Sequence, residues 1–172
     1  LTRAVLETER HVSSGGWDQS ARLFALVRTA ALLEREPALA SQLFPGAPEA
    51  AAADPGHLTS VEQEGLPSSQ SLEDMLAQVA WGPDVDGVAL SVERVVLPPE
   101  AESDVPDDAS AAMDYLMQHP SRADVRLVVA VLRDGSSMCA LRQRQHDEPG
   151  SVAVGPDLVP GLVAALKATL ED

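Results

Sequence analysis

The stretch 124–170 constrains the fold most. Two apolar runs, 125–132 and 136–143, flank Asp134-Gly135, a pair that tolerates positive φ and favours a two-residue β-hairpin turn. Pairing Arg133 with Ser136 then sets Val131 opposite Met138, Val129 opposite Ala140 and Leu127 opposite Arg142. On the other face Ala130 meets Cys139 and Val128 meets Leu141. A four-residue loop keeps the same faces, because side chains alternate with period two. Beyond the hairpin, Asp157 is placed to cap a helix over 158–170, with Pro160 in the first turn, where its missing N–H is not needed. Leu158, Leu162, Leu166 and Leu170, beside Val159, Val163 and Thr169, make the face that packs on the sheet.

Upstream, residues 1–12 fit a short polar helix that ends at Ser13-Ser14-Gly15-Gly16. The run 22–29 has helical spacing, yet its unbroken Leu23-Phe24-Ala25-Leu26-Val27 suits a buried strand; the strand is favoured. Helical turns follow over 29–43, and the Pro-, Gly- and Ala-rich 44–56 reads as a loop. Residues 57–64 fit a polar edge strand, and 70–80 a helix with Leu72, Met75, Leu76 and Val79 on one side. Strand 88–97 has apolar residues on both faces, which places it centrally in a sheet covered on both sides. An acidic, Pro-rich loop at 98–108 leads to a helix over 109–118, stopped before His119-Pro120. The expected fold is α+β: about five strands in a mainly antiparallel sheet packed with helices, one domain over 1–172, with flexible loops at 44–56 and 98–108.

With 172 residues the chain suits one core that buries roughly 70% of the unfolded surface. Aromatics are only 3%, so that core must come from Leu, Val and Ala. The net charge of −15 disfavours DNA, RNA and anionic membranes, and favours solubility or a basic partner. Cys139 is the sole cysteine, so no internal disulfide forms and a reducing compartment is expected. The first residues lack a basic stretch followed by an apolar run, and nothing approaches transmembrane length. A cytoplasmic location follows as the expectation.

Chemistry is sparse. His11, His57, His119 and His146 show no metal-ligand spacing with one another or with Cys139, so no metal and no cofactor is expected. Cys139 reads as a packed, inert thiol. Glu62 and Glu64 would share one face of a strand, the arrangement that raises one carboxyl pKa for acid catalysis; a solvated edge is the simpler account. Arg122, Arg126, Arg133, Arg142 and Arg144 cluster within a short span. In the register above they form no single stripe. Pairing with nearby carboxylates, such as Asp124, or with a helix C-terminus explains them, and an anion site at Arg142 and Arg144 is the alternative. A ligand pocket would draw on Trp17, Asp18, Glu62, Glu64, Trp81, Arg94 and His146.

A set of segments stands out as a group: Gly16-Trp17-Asp18-Gln19, Arg22 to Val27, His57-Leu58-Thr59, Glu62-Gln63-Glu64, Trp81-Gly82-Pro83 and Val85-Asp86-Gly87. To these are added Glu93 to Pro99, Asp124 to Leu132 with Asp134-Gly135, and Asp157-Leu158-Val159-Pro160-Gly161. On these segments the chain resembles a family of uncharacterised actinobacterial proteins. The resemblance covers nearly the whole chain and implies a cytoplasmic actinobacterial protein, with no activity or site residue to carry over. The leading expectation is therefore a non-catalytic adaptor or chaperone-like protein that meets a protein partner or itself; small acidic secretion chaperones offer a fold-level analogy. The alternative is an enzyme or small-molecule binder with a pocket near Trp17, Trp81 and Arg94.

Overall fold

A computed structural model describes residues 1–38, 47–63, 72–96, 106–118, 123–156 and 158–170. Its frame is a six-stranded antiparallel sheet in the order β2-β1-β3-β4-β5-β6. The strands are β1 (Arg22–Arg28), β2 (Leu58–Glu62), β3 (Gly87–Val96), β4 (Ala123–Leu132), β5 (Ser137–Gln143) and β6 (Ala153–Gly155). The described helices are α1 (Thr2–Ser13), α2 (Thr29–Arg35), α3 (Ala47–Ala53), α4 (Leu72–Ala77), α5 (Ala109–Gln118) and α6 (Pro160–Thr169). The α+β reading holds, and the sixth strand is the short β6 at one edge.

The ambiguous run at β1 is a strand because its residues are buried on both faces, between β2 and β3. On one face Phe24, Leu26, Ala89, Val128, Ala130 and Ala140 meet Ala4, Val5 and Val12 of α1. On the other, Leu23, Val88, Leu90, Val125, Val129 and Cys139 meet α4 and α6. The sheet is thus the middle layer of three, as the two-sided apolar pattern of β3 requires.

Four expectations need correction. The loop expected over 44–56 contains α3: the alanine run carries strong helix propensity, and Pro48 falls in the first turn, where it is tolerated. The first helix is amphipathic rather than polar throughout, with Ala4, Val5, Thr8, Glu9 and Val12 buried. The last helix begins at Pro160 with Val159 as its N-cap, so Leu158 lies outside it and exposed; Asp157 lies outside the described residues. Leu162, Val163, Leu166 and Leu170 do make its buried face.

The fourth correction is the hairpin register. Arg126 stands opposite Arg142, Leu127 opposite Leu141, Val129 opposite Cys139 and Ala130 opposite Met138, one residue away from the expected pairing. The loop has three residues. Gly135 N–H donates to the Leu132 carbonyl (3.0 Å), Leu132 N–H donates to the Ser136 carbonyl (2.8 Å), and Gly135 takes φ +93°. This is a type I turn closed by a left-handed glycine, which uses Asp-Gly at the same place as a two-residue turn does. An odd shift exchanges the faces of one strand against the other. Arg126 and Arg142 therefore become neighbours on the α1 side of the sheet.

Candidate functional site

On the α1 face, where apolar residues dominate the sheet, β4 and β5 present two buried arginines side by side. Each needs a compensating group, since an isolated charge in that layer carries a large desolvation cost. For Arg142 the partner is Glu9 of α1, itself buried: Nη2 donates to Oε2 at 3.0 Å, and Nε bonds Oε1. Ser13 Oγ donates to Glu9 Oε1 at 2.7 Å, and Arg142 Nη1 reaches Asp147 Oδ1 at 3.0 Å. Hydrogen bonding to Glu9 holds the Arg142 guanidinium above its ordinary pKa.

Arg126 is fully buried and ties down the exit of α1. It donates to Ser13 Oγ at 2.9 Å and to the Gly16 carbonyl, and approaches Glu93 Oε2 at 3.4 Å. Its guanidinium lies 4.4 Å from the Trp17 ring centroid, a cation–π distance. The Arg126 Nε is buried without a hydrogen-bond partner among the described residues. Gly16, at φ +82°, turns the chain away from the helix. Glu93 then receives the backbone N–H groups of Asp18 (2.8 Å) and Gln19 (3.0 Å).

Asp18 adopts φ +65°, a conformation Asp tolerates better than most residues. Its carboxylate accepts from the two Nη atoms of Arg144, at 2.9 and 3.0 Å, and that hydrogen bonding draws the Asp18 pKa below the ordinary aspartate value. Trp17 Nε1 donates to Asp147 Oδ2 at 3.1 Å. That bond first, and Arg142 next, keep the Asp147 carboxyl below its usual range. The result is a network of three guanidiniums, five carboxylates, with Asp124 Oδ2 at 3.9 Å from Arg144, and an indole that fastens the 14–19 segment across the ends of β3, β4 and β5.

The residues proposed from sequence divide between two faces. Trp17, Asp18, Arg142 and Arg144 come together in this network. Arg142 and Arg144, candidates for an anion, already hold Glu9, Asp147 and Asp18. Trp81 lies on the opposite face, packed on the core beneath α6, with Nε1 donating to Thr169 Oγ1 at 3.0 Å. Arg94 is exposed, and its strand position has the parity of Leu90 and Val92, on the α6 side. Glu62 is bound by Arg22 through two bonds, at 2.8 and 2.6 Å, which lower its carboxyl pKa, the reverse of what an acid catalyst needs. Glu64 and Arg122 lie outside the described residues, as does the side chain of His146. Arg133 caps the end of α6 through the Leu170 carbonyl (2.8 Å) and also holds the Val85 and Gly82 carbonyls. Cys139 is buried and free.

Sequence reasoning missed Glu9, Ser13, Glu93 and Asp147. Glu9 had a usable signal: it interrupts the stripe Leu1, Ala4, Val5, Thr8, Val12, and a carboxylate there demands a buried cation. Glu93 had one too, since it shares strand parity with Ala89 and Ser91 on the α1 face.

Two grooves open at the margins of the sheet. One, of about 380 Å³, runs between α1 and β2, with Glu7, Thr8 and His11 on one wall and Phe24, Leu58 and Ser60 on the other. Another, of about 320 Å³, lies between α4 and α6, lined by Leu76, Val79, Ala165 and Thr169 among others. No group of three or more His, Cys, Asp or Glu side chains among the described residues is arranged to hold a metal. No helix among them is long and apolar enough to cross a membrane.

Searches of curated proteins and of solved structures returned no match. Comparison with protein families, in contrast, matches residues 1–171 to the PPA1309-like proteins. With that match running almost end to end, over the same segments that carried the resemblance, the chain belongs to the PPA1309-like protein family.

Proposed function

We propose that this chain is a non-catalytic cytoplasmic binding protein, adaptor- or chaperone-like, that works by docking a protein partner. One observation carries the reading: the charged side chains gathered around Trp17 are partners of one another. Glu9 and Asp147 are bound by Arg142, Asp18 by Arg144, and Glu93 by Arg126 and two backbone amides. A catalytic carboxylate needs a raised or balanced pKa near a cleft, whereas Asp18, Glu62 and Asp147 are all shifted down by donors. Such a network rigidifies a fold and leaves its surfaces for recognition. The alternative, an enzyme or small-molecule binder built on Trp17, Trp81 and Arg94, draws no support from side chains on opposite faces of one sheet.

The test is cross-linking in the native host followed by light scattering of the purified chain. A defined heteromeric complex, or a dimer, is the expected result. A monodisperse monomer that cross-links to no protein would defeat the reading.

A further inference from the structure

The two edges of the sheet are built differently. At one, β6 has three residues and runs into Pro156, which has no N–H to offer; short edges and prolines discourage strand pairing. At the other edge, β2 has five residues, with no proline and no lysine. Thr29 N–H donates to the His57 carbonyl and Gln63 N–H to the Leu23 carbonyl, both at 2.8 Å. Odd-numbered positions of β2 therefore face β1, and the N–H and C=O groups of Leu58, Ser60 and Glu62 face outward. No strand pairs with that side among the described residues.

Beside this edge lies the groove between α1 and β2. The side chains of Leu58 and Ser60 point into it, with Ser60 Oγ 3.0 Å from Thr8 Oγ1. Alternate side chains of an added strand would point the same way. Above the groove stands Glu7, exposed and, among the described residues, without an ion-pair partner. Glu62, by contrast, is neutralised by Arg22. A second copy of the chain would bring another −15 charge to this edge, which argues against self-pairing, while a basic segment is attracted.

We infer that the outer edge of β2 and the groove beneath α1 bind an extended, basic segment of another protein, which adds as a further strand and sets a Lys or Arg against Glu7. This deepens the binding-protein reading and rests on it. Main-chain pairing would supply the affinity, and the groove and Glu7 the selectivity.

The test uses the full chain with a capped heptapeptide of alternating valine and lysine, and a control with glutamate replacing lysine. Titration calorimetry gives affinity; hydrogen exchange gives location. The lysine peptide should bind and slow exchange at the amides of Leu58, Ser60 and Glu62, while the glutamate peptide binds at least about tenfold more weakly. Ser60→Pro removes an outward N–H that β1 does not use, so the fold tolerates it, and affinity should fall by about tenfold or more. Ser60→Ala keeps that N–H and loses the Thr8 contact, so its affinity should fall by less than about threefold, well short of the loss in Ser60→Pro. Glu7→Lys, a surface change, should weaken the lysine peptide by about threefold.

Equal binding of both peptides, no binding, or full affinity in Ser60→Pro would overturn the inference. So would a dimer that Ser60→Pro dissolves, because the edge would then belong to a second copy. A native partner held equally by the parent and by Ser60→Pro would refute this site and leave the binding-protein reading standing. The absence of any partner or dimer would refute that reading itself.

Discussion

At the scale of single residues, the pair Glu9–Arg142 is where one change should matter most. Both side chains are almost fully buried, and removing either leaves the other charged with too little compensation. Arg142→Ala should cost about 3–5 kcal/mol in urea unfolding, whereas replacing both residues with Met should restore most of the loss. The same network predicts an acid response. The Asp147 and Asp18 carboxyls titrate lower in the folded protein than in the unfolded chain, so their contribution is complete above the ordinary aspartate value of about 3.9 and is lost as pH falls through the lowered one. In a Trp81→Phe background, Trp17 fluorescence should stay constant from pH 7 to about pH 5 and change only below about pH 4. Asp147→Asn should blunt that transition, and an unchanged acid profile in this variant would count against the network.

At the scale of elements, most of the order was legible because periodicity is a strong signal over long runs. The apolar faces of β3 and β4 alternate over ten residues each, and α6 keeps its leucines at helical spacing. The hairpin register was not legible. Asp134-Gly135 fits a two-residue turn and a three-residue turn equally well, and only the observed backbone distinguishes them: Gly135 takes positive φ and Asp134 does not. That single step hid the site, because it separated Arg126 from Arg142 and sent Arg142 to the wrong face. Gly87 marks the other close approach in the sheet. A Cβ there would overlap the Val131 carbonyl oxygen and crowd the Leu132 side chain, at the start of the longest strand pairing in the molecule. Gly87→Ala should lower the urea midpoint by the equivalent of about 1–3 kcal/mol, as overpacking does. A neutral result would mean that β3 and β4 are less closely apposed there.

At the scale of the whole molecule, one antiparallel sheet separates two chemistries. The α6 side is a mainly aliphatic core with Trp81 at its margin. The α1 side carries the buried ion pairs that fasten the 14–19 segment, and beyond them the edge of β2, which no strand pairs among the described residues. Sequence alone conveyed the layering, since β3 and β4 are apolar on both faces, but not which arginine meets which carboxylate: those partners come from residues more than thirty positions apart in most cases. In the function proposed, the charged groups around Trp17 serve the fold and recognition falls to the edge of β2. Native-state hydrogen exchange of the free chain tests both halves together. Slow exchange is expected for the amides of Asp18 and Gln19, bound to Glu93, and for Thr59, Val61 and Gln63, which face β1, with fast exchange at Leu58, Ser60 and Glu62. Fast exchange at Asp18 and Gln19, or protection of Leu58, Ser60 and Glu62 equal to that of their neighbours, would contradict the proposal.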